Sequence, residues 1–201
     1  LLLFFTATIL ILFAGCTKDN GLGSLVVKIT DGPFPIDYVG SATVTITKVE
    51  LRKEGDGESD GSPFIVVWEG SETFDLLQLR NGKAEELPEI TIPQGKYDLV
   101  RIYVDRAKLV INEGGEFDLK IPGGSQTGIK VFINPGLIVE GGLTAELLLD
   151  FDLSRSFVMR GNIDSPSGIN GFIFKPVIKA VNNTTAGRIV GFVTEKDNAS
   201  A

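Results

Sequence analysis

The sequence of 201 residues contains no histidine and only one cysteine, one methionine and one tryptophan. Without histidine, the chain lacks the usual base of serine and cysteine nucleophile systems, the imidazole ligands of zinc and the imidazole pH switch. A single cysteine excludes an intrachain disulfide, a thiolate zinc cluster and a CxxC redox pair. The formal net charge of -7 argues against nucleic acid as a partner, because binding to phosphates needs clustered Lys and Arg.

The first fifteen residues are mostly apolar and carry no charge. This length is typical of the hydrophobic region of a signal peptide and is too short for a spanning helix of about 20 residues. The chain has no initial Met and no basic region before the apolar run, so we interpret residues 1–15 as the remnant of a signal peptide.

The apolar run ends in Leu12-Phe13-Ala14-Gly15-Cys16, which resembles a bacterial lipobox. Phe13 stands where Leu is usual, whereas Ala14, Gly15 and Cys16 fit the pattern. We therefore predict lipidation at Cys16, which is also the only thiol of the chain. Two or three acyl chains would hold the protein stably on a membrane. The alternative is an ordinary secretory signal with Cys16 near its cleavage site.

The residues after Cys16 predict the destination of the protein. No Asp follows the cysteine directly, so the usual cue for retention at the inner membrane is absent, and Lys18-Asp19 resembles a short export signal. We expect an envelope lipoprotein of the outer membrane with residues 16–22 as a polar tether, and surface display remains an open alternative.

Short β-rich runs separated by turn clusters fill the chain from Gly23 onward, and no amphipathic helical pattern of ten or more residues interrupts them. The runs are Ser24–Thr30, Val39–Arg52, Pro63–Glu69, Lys96–Asp105, Lys108–Ile111, Glu116–Ile121, Gly128–Asn134, Leu143–Asp152 and Gly171–Val181. They predict an all-β fold, namely a single antiparallel β-sandwich of immunoglobulin-like or transthyretin-like type. At most one short helical turn is expected, within Phe74–Gly82, where an Asn-Gly pair ends it.

Two strands show informative alternation. In the second run the apolar phase slips near Thr47 and Lys48, which predicts a β-bulge there. The run Lys96–Asp105 is apolar on both faces apart from Arg101, which predicts a central position in the sheet.

Acidic residues offer one metal site as an alternative to solvated loop residues. The alternating acids of the predicted loop after Arg52 could supply hard oxygen ligands to calcium, although they lack EF-hand spacing. These calcium candidates are Glu54, Asp56, Glu58 and Asp60. No metal and no cofactor is expected otherwise.

Acid pairs are also the strongest enzymatic candidates, since glycoside hydrolysis needs two carboxylates and no histidine. Asp150 and Asp152 would share one face of a strand, opposite Leu149 and Phe151. A solvated face or a turn anchor is the favoured interpretation of this pair. Asp31 and Asp37 flank a Gly-Pro segment, where Asp side chains commonly fix turns. We assign no catalytic residue and expect a protein that is not an enzyme.

Aromatic residues give one candidate for ligand binding. Trp68 ends the run Phe64–Trp68, and it is the residue that we would test for stacking on a sugar, with core packing as the alternative.

The tail differs from the rest of the chain. A polar linker, residues 182–187, leads to a new apolar run within residues 188–201 that resembles the opening strand of carboxypeptidase-regulatory-like domains. The chain ends too soon to complete such a domain, so we expect truncation here, with pairing to the main sheet as the alternative.

The order of several segments resembles a known family. They are Leu25–Pro33, Val44–Leu51, Phe74–Leu79, Pro93–Tyr97 with Val100–Ile102, Ser125–Lys130, Leu149–Asp152 and Phe174–Ile178. Together they resemble the DUF4382 family, a domain of unknown function in bacterial and archaeal extracytoplasmic proteins that are frequently lipoproteins. The resemblance implies a domain over residues 23–181 and an extracytoplasmic compartment, and it supplies no catalytic residues.

These observations favour a lipid-anchored β-sandwich that serves as a binding, adhesion or structural module of the cell envelope. Its expected partners are the membrane, through the lipid, and an extracellular glycan or protein. One alternative is a carboxylate-based hydrolase of extracellular glycans. The other is a fimbrial or assembly subunit that completes a partner's sheet by strand addition.

Overall fold

The computed structural model describes residues 21–32, 39–55, 64–112, 115–161 and 169–185. Twelve strands, one 3₁₀ turn and one four-residue helix, α1, make up this part of the chain. In order they are β1 (Leu22–Asp31), β2 (Val39–Lys53), β3 (Phe64–Asp75), the 3₁₀ turn (Leu76–Leu79), β4 (Glu85–Glu86), β5 (Ile90–Pro93), β6 (Gly95–Ile111), β7 (Gly115–Leu119), β8 (Ile129–Val139), β9 (Thr144–Phe151), α1 (Leu153–Ser156), β10 (Phe157–Gly161), β11 (Ile169–Phe174) and β12 (Ile178–Asn182). The predicted all-β class is confirmed.

One ten-stranded sheet contains all of these strands except the β10–β11 pair. Its order is β3-β2-β6-β8-β12-β9-β1-β4, with β5 also paired to β1 and β7 also paired to β6. The 3₁₀ turn contacts both β1 and β2, and β3 approaches β5, so the two ends of the sheet come together. The sheet therefore curls around a single core, and the two facing sheets of the expected sandwich are not confirmed.

The expected antiparallel pairing is wrong at two places. β1 runs parallel to β9 over eight residue pairs, from Ser24 opposite Thr144 to Asp31 opposite Phe151. β12 also meets β8 in parallel, at Ala180 and Ile133. Alternating apolar residues identify the buried face of a strand but carry the same period in either direction, so the sequence pattern could not show the orientation.

The core consists of alternate residues of the long strands. Leu25, Val27 and Ile29 of β1 are buried, and so are Leu147 and Leu149 of the parallel partner β9. The predicted bulge in β2 is confirmed, because the register with both β3 and β6 shifts between Ile46 and Lys48. β6 lies between β2 and β8, as its apolar faces predicted.

The structure joins two predicted runs and divides another, and β3 and β8 continue past the predicted ends at Glu69 and Asn134. Lys96–Asp105 and Lys108–Ile111 form one strand, β6, with a register shift between Val104 and Arg106. The run Gly171–Val181 is instead divided into β11 and β12 by residues 175–177. Pro176 lies in this break, and proline cannot donate a ladder hydrogen bond. The predicted helical turn is confirmed as the 3₁₀ turn, followed by Asn81 and Gly82 with positive φ angles of 61° and 79°.

Within the described ranges, every helix is too short to cross a bilayer.

Candidate binding surface

Asp150 lies on β9 as predicted, whereas Asp152 follows the last residue of this strand, Phe151, and precedes α1. Leu149 and Phe151 are buried, and Asp150 is partly buried on the other face, as predicted. Burial is the main reason why the pKa of the Asp150 carboxyl is raised. The charge of Lys179 lowers this pKa, and the charge of Asp152 raises it further. Asp152 caps α1, since its Oδ1 accepts hydrogen bonds from Arg155 N at 3.1 Å and from Ser154 Oγ at 2.7 Å. The Asp152 carboxylate thus has the role of a turn anchor.

Asp31 lies at the end of β1 and is only 5% exposed. Its Oδ1 accepts a hydrogen bond from Leu153 N, the first residue of α1, at 3.1 Å. Its Oδ2 is buried and has no hydrogen-bond partner within the described residues. Asp31 therefore links β1 to a helix 122 residues away, whereas the sequence suggested a local turn. Asp37 lies outside the described residues.

Burial raises the pKa of the Asp31 carboxyl to about 7. The hydrogen bond from Leu153 opposes this rise, the nearby carboxylates of Asp150 and Asp152 add to it, and Arg80 lowers it. A buried acid with this pKa resembles a general acid in electrostatics. However, Asp31 is buried and bonded to α1, which indicates a structural role for this carboxyl.

The calcium candidates are only partly described. Glu54 forms an ion pair with Lys96, with 2.8 Å between Oε2 and Nζ, while Asp56, Glu58 and Asp60 lie outside the described residues. In the described part of the chain, no three acidic or cysteine side chains are grouped as metal ligands.

Trp68 is partly buried and packs against the core. Its ring also lies over Gly70, where the methyl group of an alanine would meet the indole Cζ2 at 2.7 Å. The core and Gly70 therefore cover part of the indole ring, and its use as a sugar platform stays a prediction.

A cluster of charged and aromatic side chains on β2, β3 and β6 was missed by the sequence analysis. We call it the Glu50 cluster, and it consists of Lys48, Glu50, Phe64, Arg101 and Tyr103. Glu50 Oε1 lies 3.0 Å from Lys48 Nζ, and Glu50 Oε2 accepts a hydrogen bond from Tyr103 OH at 3.1 Å. Arg101 Nη1 is 3.4 Å from the same Oε2. One buried carboxylate therefore holds two cations and a phenol.

Aromatic rings fix both cations of the Glu50 cluster. The guanidinium of Arg101 lies 3.5 Å from the centre of the Phe64 ring, and Lys48 Nζ lies 4.1 Å from the centre of the Tyr103 ring. The hydrogen bond to Glu50 raises the pKa of Lys48. Such cation–π contacts add to the ion pairs and restrict the side chains.

The strand register places Glu50, Phe64 and Arg101 in two rows across the outer face of the sheet, while Lys48 and Tyr103 pair with each other in the next row. In one row Val66, Glu50, Arg101 and Lys130 are successive partners on β3, β2, β6 and β8. In the adjacent row the partners are Phe64, Arg52, Leu99 and Phe132. We call these eight residues and the Glu50 cluster the outer-face rows.

Exposed apolar residues flank the charged centre of the outer-face rows. Phe132 is 71% exposed, and Val66 is also exposed. Arg52 binds Asp98 through two hydrogen bonds of 3.0 and 2.7 Å, which holds the second row in place. One feature of the sequence indicated this surface: Glu50 and Arg101 are charged residues within otherwise apolar runs.

A second surface feature is a groove of about 310 Å³ between the ends of β8, β9 and β12. Its apolar lining includes Ile138, Leu143 and Ala145, and Glu140 and Thr184 are among its polar residues. Asn182, also in the lining, is buried and donates a hydrogen bond from Nδ2 to Gly136 O at 3.1 Å. The groove opens where β12 separates β8 from β9.

Comparisons with known proteins identify the family and leave the activity open. No curated protein and no solved structure matches the chain. Residues 22–176 match the family described as Domain of unknown function (DUF4382). This match spans most of the chain and nearly all the strands described above. The predicted resemblance is thereby confirmed, and the chain belongs to the DUF4382 family.

Proposed function

We propose that this protein is a lipid-anchored binding module of the cell envelope that holds an extracellular partner on its outer-face rows. Cys16 carries the lipid, the outer membrane is the site of anchoring, and the β-fold carries the binding surface away from it. Cys16 lies outside the described residues, so the anchor rests on the lipobox-like sequence. No catalytic residue is assigned.

The observation that carries the binding role is the composition of the outer-face rows. Arginine, tyrosine and phenylalanine are enriched at protein interfaces, where an aromatic anchor surrounded by polar groups contributes most of the affinity. Phe132 has the exposure expected of such an anchor. Phe64, Arg101 and Tyr103 are of the residue types that commonly surround such an anchor.

Preorganisation is the second argument for this surface. Glu50 holds Lys48 and Arg101 on aromatic rings before any partner arrives. Binding then loses less side-chain entropy than it would with free lysine and arginine side chains. A partner with carboxylates beside an apolar side chain fits this arrangement, and a protein is favoured over a glycan.

A binding array of matrix proteins and glycans, probed with the chain from Cys16 onward, tests the proposal. We expect binding to an acidic protein ligand, and Phe132→Ser should weaken it at least tenfold. Val158→Ser is the matched control, because Val158 is exposed on β10, outside the large sheet. Equal loss of binding in both variants, or no bound ligand at all, would contradict this assignment.

The lipid anchor needs a separate test in cells. We expect labelled palmitate to be incorporated into the protein and to be lost in Cys16→Ser. Protease added to intact cells then tests surface display, and complete protection would argue for the inner leaflet.

Strand addition remains a second candidate, because β3 offers an edge. This 12-residue strand pairs only with β2 in the described part of the sheet. Two register shifts and the exposed residues Glu69 and Glu72 reduce its value as a template, since bulges and edge charges oppose strand pairing. The hydrolase alternative has less support, because the Asp31 and Asp152 carboxylates bind α1.

A further inference from the structure

The start of β1 and the end of β12 lie at one end of the molecule. β12 runs antiparallel to β9, and β9 runs parallel to β1. Gly21 and Thr185, the first and last described residues, therefore lie on the same side of the molecule. Cys16 lies only five residues before Gly21, and five extended residues span at most about 18 Å.

Three exposed apolar side chains lie around the start of β1. Leu22 is 43% exposed, Ile138 is 48% exposed and Leu143 is 58% exposed. Gly142 N donates to Leu22 O at 3.0 Å and Ser24 N donates to Leu143 O at 2.9 Å, so β1 begins beside the β8–β9 turn. Ile138 and Leu143 line the same groove. We call Leu22, Ile138 and Leu143 the entry patch.

We propose that the entry patch rests on the surface of the bilayer that holds the anchor, with its three side chains in the lipid interface. This inference rests on the proposed lipidation of Cys16. The short tether keeps the patch close to the bilayer and so raises its effective concentration there. Insertion of three apolar side chains, which is weak by itself, then gives stable contact. Glu140 in the groove lining favours neutral over anionic lipid headgroups.

Docking in this way orients the binding surface. Gly95 of β6 pairs with Val139 beside the entry patch, and Arg101 lies six residues further along β6. At about 3.3 Å per residue, this separation is about 20 Å. The outer-face rows would thus stand above the headgroups, facing sideways and accessible to a partner.

Chemical coupling tests the docking without relying on cellular lipidation. The chain from Cys16 onward would be joined through its only thiol to a maleimide lipid in vesicles of phosphatidylcholine and phosphatidylethanolamine. Amide hydrogen exchange would then be compared with that of the uncoupled protein mixed with plain vesicles. We expect exchange across residues 138–145 to slow at least threefold on coupling, and exchange across residues 129–133 to stay unchanged.

Variants distinguish slower exchange caused by docking from slower exchange caused by crowding at the vesicle surface. Ile138→Glu with Leu143→Glu should abolish the slowing, whereas Phe132→Glu, on the same strand β8, should retain it. If the double glutamate variant fails to fold, Leu143→Ser should still reduce the effect. Equal exchange in coupled and uncoupled protein would overturn the docking proposal. A failure of lipidation in cells would instead contradict the anchor and leave this measurement unaffected.

Discussion

Asp31 makes the stability of this protein depend on pH in an unusual direction. Its pKa of about 7 in the folded state exceeds the ordinary value of 3.8, so the folded chain keeps a proton that the unfolded chain releases. The stabilisation is complete below about pH 4 and is lost as pH rises through 7, with an upper limit of about 4 kcal/mol. Burial raises the pKa of Asp150 as well, which acts in the same direction.

Replacing Asp31 with asparagine tests this dependence. We expect Asp31→Asn to remove most of the loss of unfolding free energy between pH 5 and pH 8, measured by urea denaturation. Asp118→Asn, at an exposed position of β7, should keep the wild-type profile. An unchanged profile in Asp31→Asn would show that another group causes the dependence.

Glu50 is the second residue whose removal should be costly. Glu50→Ala leaves Arg101 and Lys48 without the carboxylate that they share, and breaking a buried ion pair costs about 3–5 kcal/mol. Since Arg101 and Lys48 are partly exposed, we expect a smaller loss, about 2–3 kcal/mol, in urea unfolding. Glu69→Ala, at an exposed position of β3, should change stability by less than about 0.5 kcal/mol.

Sequence alone could place these residues only in part. The alternation Leu25, Val27, Ile29 puts Asp31 on the inward face, which was a readable signal of burial. Its partner Leu153 could not be found, because that contact depends on the parallel pairing of β1 and β9. The Glu50 cluster likewise depends on the register of three strands.

At the scale of elements, the 3₁₀ turn depends on one side chain. Asp75 Oδ1 accepts hydrogen bonds from Leu77 N within the turn and from Ala42 N on β2, both at 3.2 Å. Asp75→Ala should therefore destabilise the protein by about 1–2 kcal/mol, the usual cost of a lost cap. Thermal unfolding measures this, with Glu72→Ala as the exposed control on the same strand. A loss equal to that of the control would contradict the capping role.

Elements were predictable where local chemistry decides them. The phase slip at Thr47 and Lys48 predicted a real bulge, and the Asn81-Gly82 pair predicted a real stop. β4, β5, β10 and α1 were not predicted, because elements of two to five residues are too short to show a clear periodic pattern. Residues 175–177 were mistaken for strand, although Pro176 was a signal for the break.

The whole molecule should unfold as one unit. A single core includes residues of β1, β2, β6, β9 and β12, and domains with one core usually unfold cooperatively. We expect the fluorescence of Trp68 and the far-ultraviolet circular dichroism to give coincident urea transitions. Ile29→Ala, in the fully buried part of β1, should shift both midpoints equally. Separate midpoints would indicate that part of the sheet folds independently.

Topology was the least predictable property at this scale. Turn residues and alternation predicted nine β-rich runs and the buried faces of the long strands, whereas the described residues form twelve strands. These patterns carried no information on which distant strands pair, since β1 meets β9 across about 120 residues. Curling of one sheet around its core and packing of two sheets both bury one face of each strand, so the same pattern suits either.

The parallel pairing of β1 and β9 has a mechanical consequence. When force is applied between Gly21 and the outer-face rows, it acts along β1. The hydrogen bonds between β1 and β9 are then loaded in shear and resist together. A pull between Gly21 and Thr185 instead peels the ends apart, one hydrogen bond at a time. The same fold would therefore resist force between Gly21 and the outer-face rows more strongly than force between Gly21 and Thr185.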